Sequence, residues 1–147
     1  MHIPAVRKGT ITKNPQFAGH SDVRIYRVYF KFIGLVAKEE GAFVSVKLTH
    51  SGREEIVDKD NNSHMFVHDP IITTYSFSLS PGINGKVKEK DNANFGEANV
   101  GHSETNYAPP GPFTDWEIDL SNSTTKLLDF SNVTKAYFEF FGTNYSF

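Results

Sequence analysis

GPFTDWEIDLSNSTTKLLDFSNVTKAYFEFFGT, residues 111–143, is the stretch on which the fold turns. It holds the only tryptophan and two segments that alternate. Over residues 114–120, Trp116, Ile118 and Leu120 fall on one face and Asp115, Glu117 and Asp119 on the other. A period of two is that of a strand with one buried face and one wet, here acidic, face. Over residues 133–141 the pattern returns, with Ala136, Phe138 and Phe140 set against Lys135, Tyr137 and Glu139. The link Ser-Asn-Ser-Thr-Thr, residues 121–125, is made of residues that favour turns. Two such strands must bury their apolar faces against something, and the remaining sequence has the pieces.

Working outward, residues 71–79 alternate most cleanly: Ile71, Thr73, Tyr75, Phe77 and Leu79 against Ile72, Thr74, Ser76 and Ser78. Residues 23–33 place Tyr26, Val28, Phe30 and Phe32 on one side, with Arg27, Tyr29 and Lys31 opposite. Residues 42–48 place Ala42, Val44, Val46 and Leu48 together. The charged turn Lys38-Glu39-Glu40-Gly41 precedes that run, so the two are expected to pair antiparallel. His50-Ser51-Gly52 reads as a break. Residues 55–57 and 64–67 flank the turn-rich Asp58-Lys59-Asp60-Asn61-Asn62 and read as a hairpin. A short edge strand is expected near residues 10–13 and a short strand near residues 85–88. Residues 81–112 are rich in Gly, Asn, Lys and Glu, and a connection that long belongs to function or disorder.

The chain has 147 residues, 38% of them hydrophobic and 14% aromatic, with 13 Phe and 6 Tyr. That weighting favours strands, and the length suits one domain with one core. The expectation is therefore an all-β antiparallel β-sandwich, immunoglobulin-like or jelly-roll-like. It forms a single domain over residues 1–147 with a long polar loop at 81–112. Val28, Phe30, Val44, Val46, Tyr75, Phe77, Trp116, Ile118, Phe138 and Phe140 are expected to share its core. Each large side chain fully buried contributes about 1.5–3 kcal/mol before chain entropy is counted.

A net charge of −2 with scattered charges gives no footprint for nucleic acid. No apolar run approaches the ~20 residues of a membrane-spanning helix, and the start lacks the apolar stretch of a signal peptide. The absence of cysteine removes disulfides, thiolate metal ligands and a thiol nucleophile.

The chemistry-bearing clusters are few. The stripe Asp115, Glu117, Asp119 reads as a solvated face paired with neighbouring basic groups. Asp58, Asp60 and Asn62 imitate the first positions of a calcium loop, with Asp69 at the twelfth. Ser63, though, stands where the loop needs glycine, and an Asx-rich turn explains the same residues. His64 and His68, four apart in an extended segment, would lie ~13 Å from one another, too far to share an ion. His50, His68 and Asp69 meet only if tertiary folding brings them together. No nucleophile elbow, phosphate loop or His-Glu-x-x-His occurs. The reading is thus non-enzymatic, with no catalytic residue, no cofactor and no metal. A ligand platform would come from aromatics out of phase with the core or in loops: Tyr29, Phe43, Phe95, Tyr107 and Phe113. The ligand-binding candidates are Phe95, His102, Tyr107 and Phe113, most of them in the 81–112 loop.

Several segments, taken in order, resemble a known family. They are Leu48-Thr49-His50-Ser51-Gly52, Phe66-Val67-His68-Asp69 and Gly111-Pro112-Phe113 with Trp116 and Ile118. Then come Leu128-Asp129-Phe130-Ser131-Asn132-Val133-Thr134 and finally Phe138, Phe140, Gly142 and Thr143. Together they are similar to a β-rich shell region, neuraminidase-like or receptor-binding, of the A components of bacterial insecticidal toxin complexes, the Tc toxins. The resemblance covers roughly residues 26–147 and implies a secreted protein of bacterial origin. It implies a non-catalytic binding or assembly domain that attaches to a cell-surface glycan or protein receptor and joins other domains of a larger toxin assembly. The alternative is a carbohydrate-active enzyme or an accessory carbohydrate-binding module. With 147 residues and no pore-forming helices, pore formation by this chain alone is not expected.

Overall fold

One long strand organises the sheets. The computed structural model describes residues 1–9, 15–80, 88–90 and 109–147. Among them the strands run, in order, β1 His20–Ile33, β2 Val36–Ala37, β3 Ala42–Val57, β4 Ser63–Val67, β5 Ile71–Ser80, β6 Lys88–Lys90, β7 Thr114–Asp119, β8 Leu128–Asp129 and β9 Lys135–Ser146. Short 3-10 turns occupy Pro15–Phe17 and Thr125–Leu127. The protein is all-β and its pairings are antiparallel.

β3 is the spine of a five-stranded sheet. Its first half pairs with β5, from Ala42↔Leu79 to His50↔Ile71, and its second half with β4, from Arg53↔Val67 to Val57↔Ser63. β7 takes the opposite edge, from Lys47↔Asp119 to Glu54↔Thr114. β4 and β5 are therefore one return strand, interrupted at residues 68–70 opposite Ser51-Gly52. Pro70, which has no N–H for a ladder, sits in that interruption. β6 extends the sheet beyond β5, pairing Ser78↔Lys90. Beside β7, Met1 and Trp116 exchange backbone hydrogen bonds.

β1 and β9 form a second sheet that packs on the first. Trp116 from β7 lies 5.4 Å from the Phe138 ring and 5.8 Å from that of Phe140. Tyr75 on β5 reaches across to bond the backbone N–H and C=O of Phe30, and its ring meets Tyr29 edge-on at 5.8 Å. Of the ten residues expected in the core, Val28, Val44, Val46, Tyr75, Phe77 and Trp116 are buried, and Phe30, Ile118, Phe138 and Phe140 pack against them partly buried.

Several expectations need correction. β1 does not pair with β3; its partner is β9, from His20↔Ser146 to Ile33↔Lys135. An extra residue in β1 between Ile25 and Arg27 shifts the register. Val23 and Ile25 are therefore buried before it and Val28 after it, while Tyr26 is expelled to the surface. A bulge of this kind defeats simple alternation. Ala136 is exposed. Residues 50–52 do not end a strand; β3 continues through them as a bulge. The expected 81–112 loop stops short at its far end: Pro110, Gly111 and Pro112 are buried, and the Ile25 N–H donates to the Pro110 carbonyl at 2.8 Å. Of the strands expected near residues 85–88 and 10–13, residues 85–87 and 10–13 lie outside the described residues, and Lys88 begins β6.

Candidate functional site

The bulge in β3 assembles the main cluster of ionisable groups. Between His50↔Trp116 and Glu54↔Thr114, three residues of β3 face one of β7. Gly52 sits there at φ 84°, a left-handed conformation natural to glycine. The hydroxyls of Ser51 and Thr114 bond one another at 2.8 Å, and Thr114 donates to the Arg53 carbonyl, fastening the bulge to β7. Opposite, the His68 N–H donates to the Gly52 carbonyl at 2.7 Å. A Cβ on residue 52 would stand 2.1 Å from the His68 carbonyl oxygen, so the approach of the two chains depends on glycine.

This geometry brings His50, Glu54 and His68 together, their ligand atoms all within 4.8 Å of one another. His50 Nε2 is 3.1 Å and His68 Nε2 3.7 Å from Glu54 Oε2, and the two imidazoles stack at 5.2 Å. His50 is wholly buried, its ring edge-on to Trp116 at 5.2 Å. The His68 side chain keeps 34% of its surface in contact with solvent. The Gly111 N–H donates to Glu54 Oε2 at 2.7 Å, and Arg24 Nη1 stands 3.9 Å from Oε1. Burial opposes the Glu54 charge. The His50 and Gly111 donors and the neighbouring imidazoles outweigh it together and hold the carboxyl below its ordinary range.

Hydrogen bonding assigns the protons. His50 Nδ1 accepts from the Gly52 N–H at 3.1 Å, so its proton sits on Nε2, which donates to Glu54 and to the Gly111 carbonyl at 3.0 Å. His68 has the opposite tautomer: its Nδ1 lies 2.8 Å from the Asp69 carbonyl, which only accepts. That places His68 Nε2 beside the Glu54 carboxylate, as a lone pair in the neutral ring and as an N–H donor in the protonated one.

A groove of about 560 Å3 lies near this cluster, lined by Asp22, Arg24, Ile56, Asp58, Lys59, His64, Phe66 and Tyr145. Phe66 and Tyr145 are 43% and 67% exposed. The Arg24 guanidinium lies over the Phe66 ring at 5.6 Å and is held by Asp22 at 2.9 Å and the Pro109 carbonyl at 3.2 Å. Asp58 on the groove's rim is saturated with donors. Its oxygens take the Asp60 and Asn62 N–H groups, the Asn62 amide and His64 Nε2. The His64 bond first, then those from Asn62 and Asp60, hold its carboxyl well below the usual carboxylate range. Calcium would have to displace all four donors, and the turn explains itself without it.

Phe113, expected to contact ligand, is buried edge-on to Phe17 at 5.1 Å, and Tyr29 is buried as well. Phe95, His102 and Tyr107 lie outside the described residues. Of the trio His50, His68 and Asp69 considered in the sequence, the two histidines do meet, but their carboxylate is Glu54, and Asp69 contributes its backbone carbonyl. His64 and His68 are held by different partners, Asp58 and Asp69. Glu54 was missed because a charge four residues beyond a histidine carries no signal in a plain strand. In the acidic stripe, Asp115 meets His2 at 3.0 Å and Asp119 caps the Ser121 N–H at 2.8 Å with Lys47 nearby. No helix among the described residues is long and apolar enough to cross a membrane. No family model, curated protein or solved structure matches this chain.

Proposed function

We propose that this chain is a non-catalytic binding domain that attaches to a cell-surface glycan through the groove between Phe66 and Tyr145. The observation that carries the reading is that groove: the exposed rings of Phe66 and Tyr145 line it together with the charged side chains of Asp22, Arg24, Asp58 and Lys59. Aromatic faces cover the apolar faces of sugar rings, and fixed polar groups supply direction. Arg24 and Asp58 are already immobilised by neighbours, so little ordering is needed on binding. The loop that the sequence singles out re-enters beside Arg24 at Pro109, next to the same surface. The resemblance to the shell of Tc toxin A components supports the same reading, with secretion and assembly into a larger toxin as its context.

The test is Phe66→Ala and Tyr145→Ala, alone and together, read on a glycan array and on target cells. Both side chains are exposed, so melting should change little. Loss of glycan binding with folding retained supports the proposal. Unchanged glycan binding refutes the groove, and attachment to cells that survives removal of surface glycans points instead to a protein receptor. Turnover of glycosidic substrates by the intact chain would refute the non-catalytic reading.

A further inference from the structure

The cluster beneath the β3 bulge contains a polar arrangement that the groove does not use. His68 Nδ1 is committed as a donor to the Asp69 carbonyl, so neutral His68 presents a lone pair on Nε2. Glu54 Oε2 lies 3.7 Å away. The two atoms form an ion pair when His68 is protonated and can share a metal ion when it is not; with His50 they belong to a group of ligand-type side chains whose ligand atoms all lie within 4.8 Å of one another, and His68 keeps one side open to solvent. We propose that Glu54 Oε2 and His68 Nε2 are ligands for a divalent cation of the zinc class, with His50 as a positioning residue.

The donor set fits that class. Imidazole nitrogen and carboxylate oxygen bind zinc at about 2.0–2.1 Å, which sets ligand atoms of a tetrahedral site roughly 3.3 Å apart. A spacing of 3.7 Å closes to that with a small movement of the half-exposed His68 ring. A backbone carbonyl on the far nitrogen, as Asp69 provides for His68, fixes the ring as ligating histidines generally require. His50 belongs to a different part of the site. Its Nδ1 faces the Gly52 N–H, so the proton must stay on Nε2, and a metal there would need an imidazolate. His50 and Gly111 instead donate to Glu54 and orient it. The exposed side of His68 leaves the remaining coordination positions to water.

The test uses tag-free full-length protein titrated with Zn2+ by calorimetry, and with Co2+ for its visible absorption. One saturable equivalent is expected, lost in both Glu54→Gln and His68→Gln. His64→Gln should leave it unchanged. His68 is partly exposed, so its variant should fold even if the buried Glu54 variant does not. His50→Gln, where melting shows it folded, should weaken binding about 10–100-fold while retaining the cobalt spectrum's ligand count. No saturable equivalent in the parent protein, or full binding in His68→Gln, overturns the proposal. Loss in His64→Gln alone would place the ion at the His64–Asp58 pair and overturn it equally.

Discussion

Replacing Gly52 by alanine tests whether the bulge depends on close approach of two chains or only on backbone conformation. Gly52 and Gly41 have nearly the same φ, 84° and 85°. A side chain in that left-handed region costs about 1–2 kcal/mol wherever it sits. A Cβ at residue 41 meets nothing within 4 Å, whereas one at residue 52 meets the His68 carbonyl oxygen at 2.1 Å and Asp69 C at 3.0 Å. Relief at residue 52 must push residues 68–69 outward by roughly 1 Å. That breaks the His68 N–H bond to the Gly52 carbonyl, about 1 kcal/mol, and pulls His68 from Glu54. Gly41→Ala should therefore cost about 1–2 kcal/mol and Gly52→Ala about 2–3. At roughly 3 °C per kcal/mol for a chain of this size, the two midpoints should differ by about 3 °C. Thermal melts and urea titrations of both variants decide it, with unchanged denaturant slopes as the check on two-state behaviour. Equal losses in the two variants would refute the argument, because the contact with residue 68 would then contribute nothing.

Tyr75→Phe removes the hydroxyl that bonds both the N–H and the C=O of Phe30 and should cost about 1–2 kcal/mol in urea unfolding. An unchanged midpoint would mean that the cross-sheet tie is idle. The Glu54 carboxyl is held below its ordinary value, so its stabilisation is present above about pH 4.5 and is lost as pH falls through the lowered folded value. Glu54→Gln should flatten the stability profile on that acid side, and parallel acid profiles for the two proteins would count against the assignment. Calcium at millimolar concentration should leave the melting temperature unchanged, since Asp58 is already saturated by four donors. A rise that Asp58→Asn abolishes would restore a calcium loop.

Much of the sheet content was legible because alternation reports directly on one-sided burial. The pattern at Trp116 and Ile118, and at Phe77 and Leu79, needs no knowledge of partners. Partners themselves were not legible. β1 and β3 follow one another closely in the chain, yet β1 crosses to β9, and alternation is the same whichever neighbour completes the ladder. Bulges hid the rest. One extra residue at Tyr26 turns an apparent core position outward. The bulge at residues 51–53 turned an apparent chain break into the bend that gathers the histidines. The signal for that bend was the glycine itself, in a stretch otherwise able to continue as a strand. Phe113 misled for a different reason: it follows Gly111-Pro112, which reads as loop, while those residues are buried against Ile56 and Val23.

Arg24 ties the two surfaces together. It sits between the register shifts of β1, where its carbonyl passes so close to Gly142 that a Cβ there would lie 1.8 Å away. Its guanidinium spreads over Phe66 in the groove, faces Glu54 in the buried cluster and holds the Pro109 carbonyl. A planar group with five donors suits such a junction, and a lysine, with one point charge, could not fill it. The arginine's Nη1 stands 3.9 Å from Glu54 Oε1, at the edge of the cluster that His50 and Gly111 hold. Any movement of β4 that opened the groove would carry Phe66 away from Arg24 and, two residues on, His68 away from Glu54.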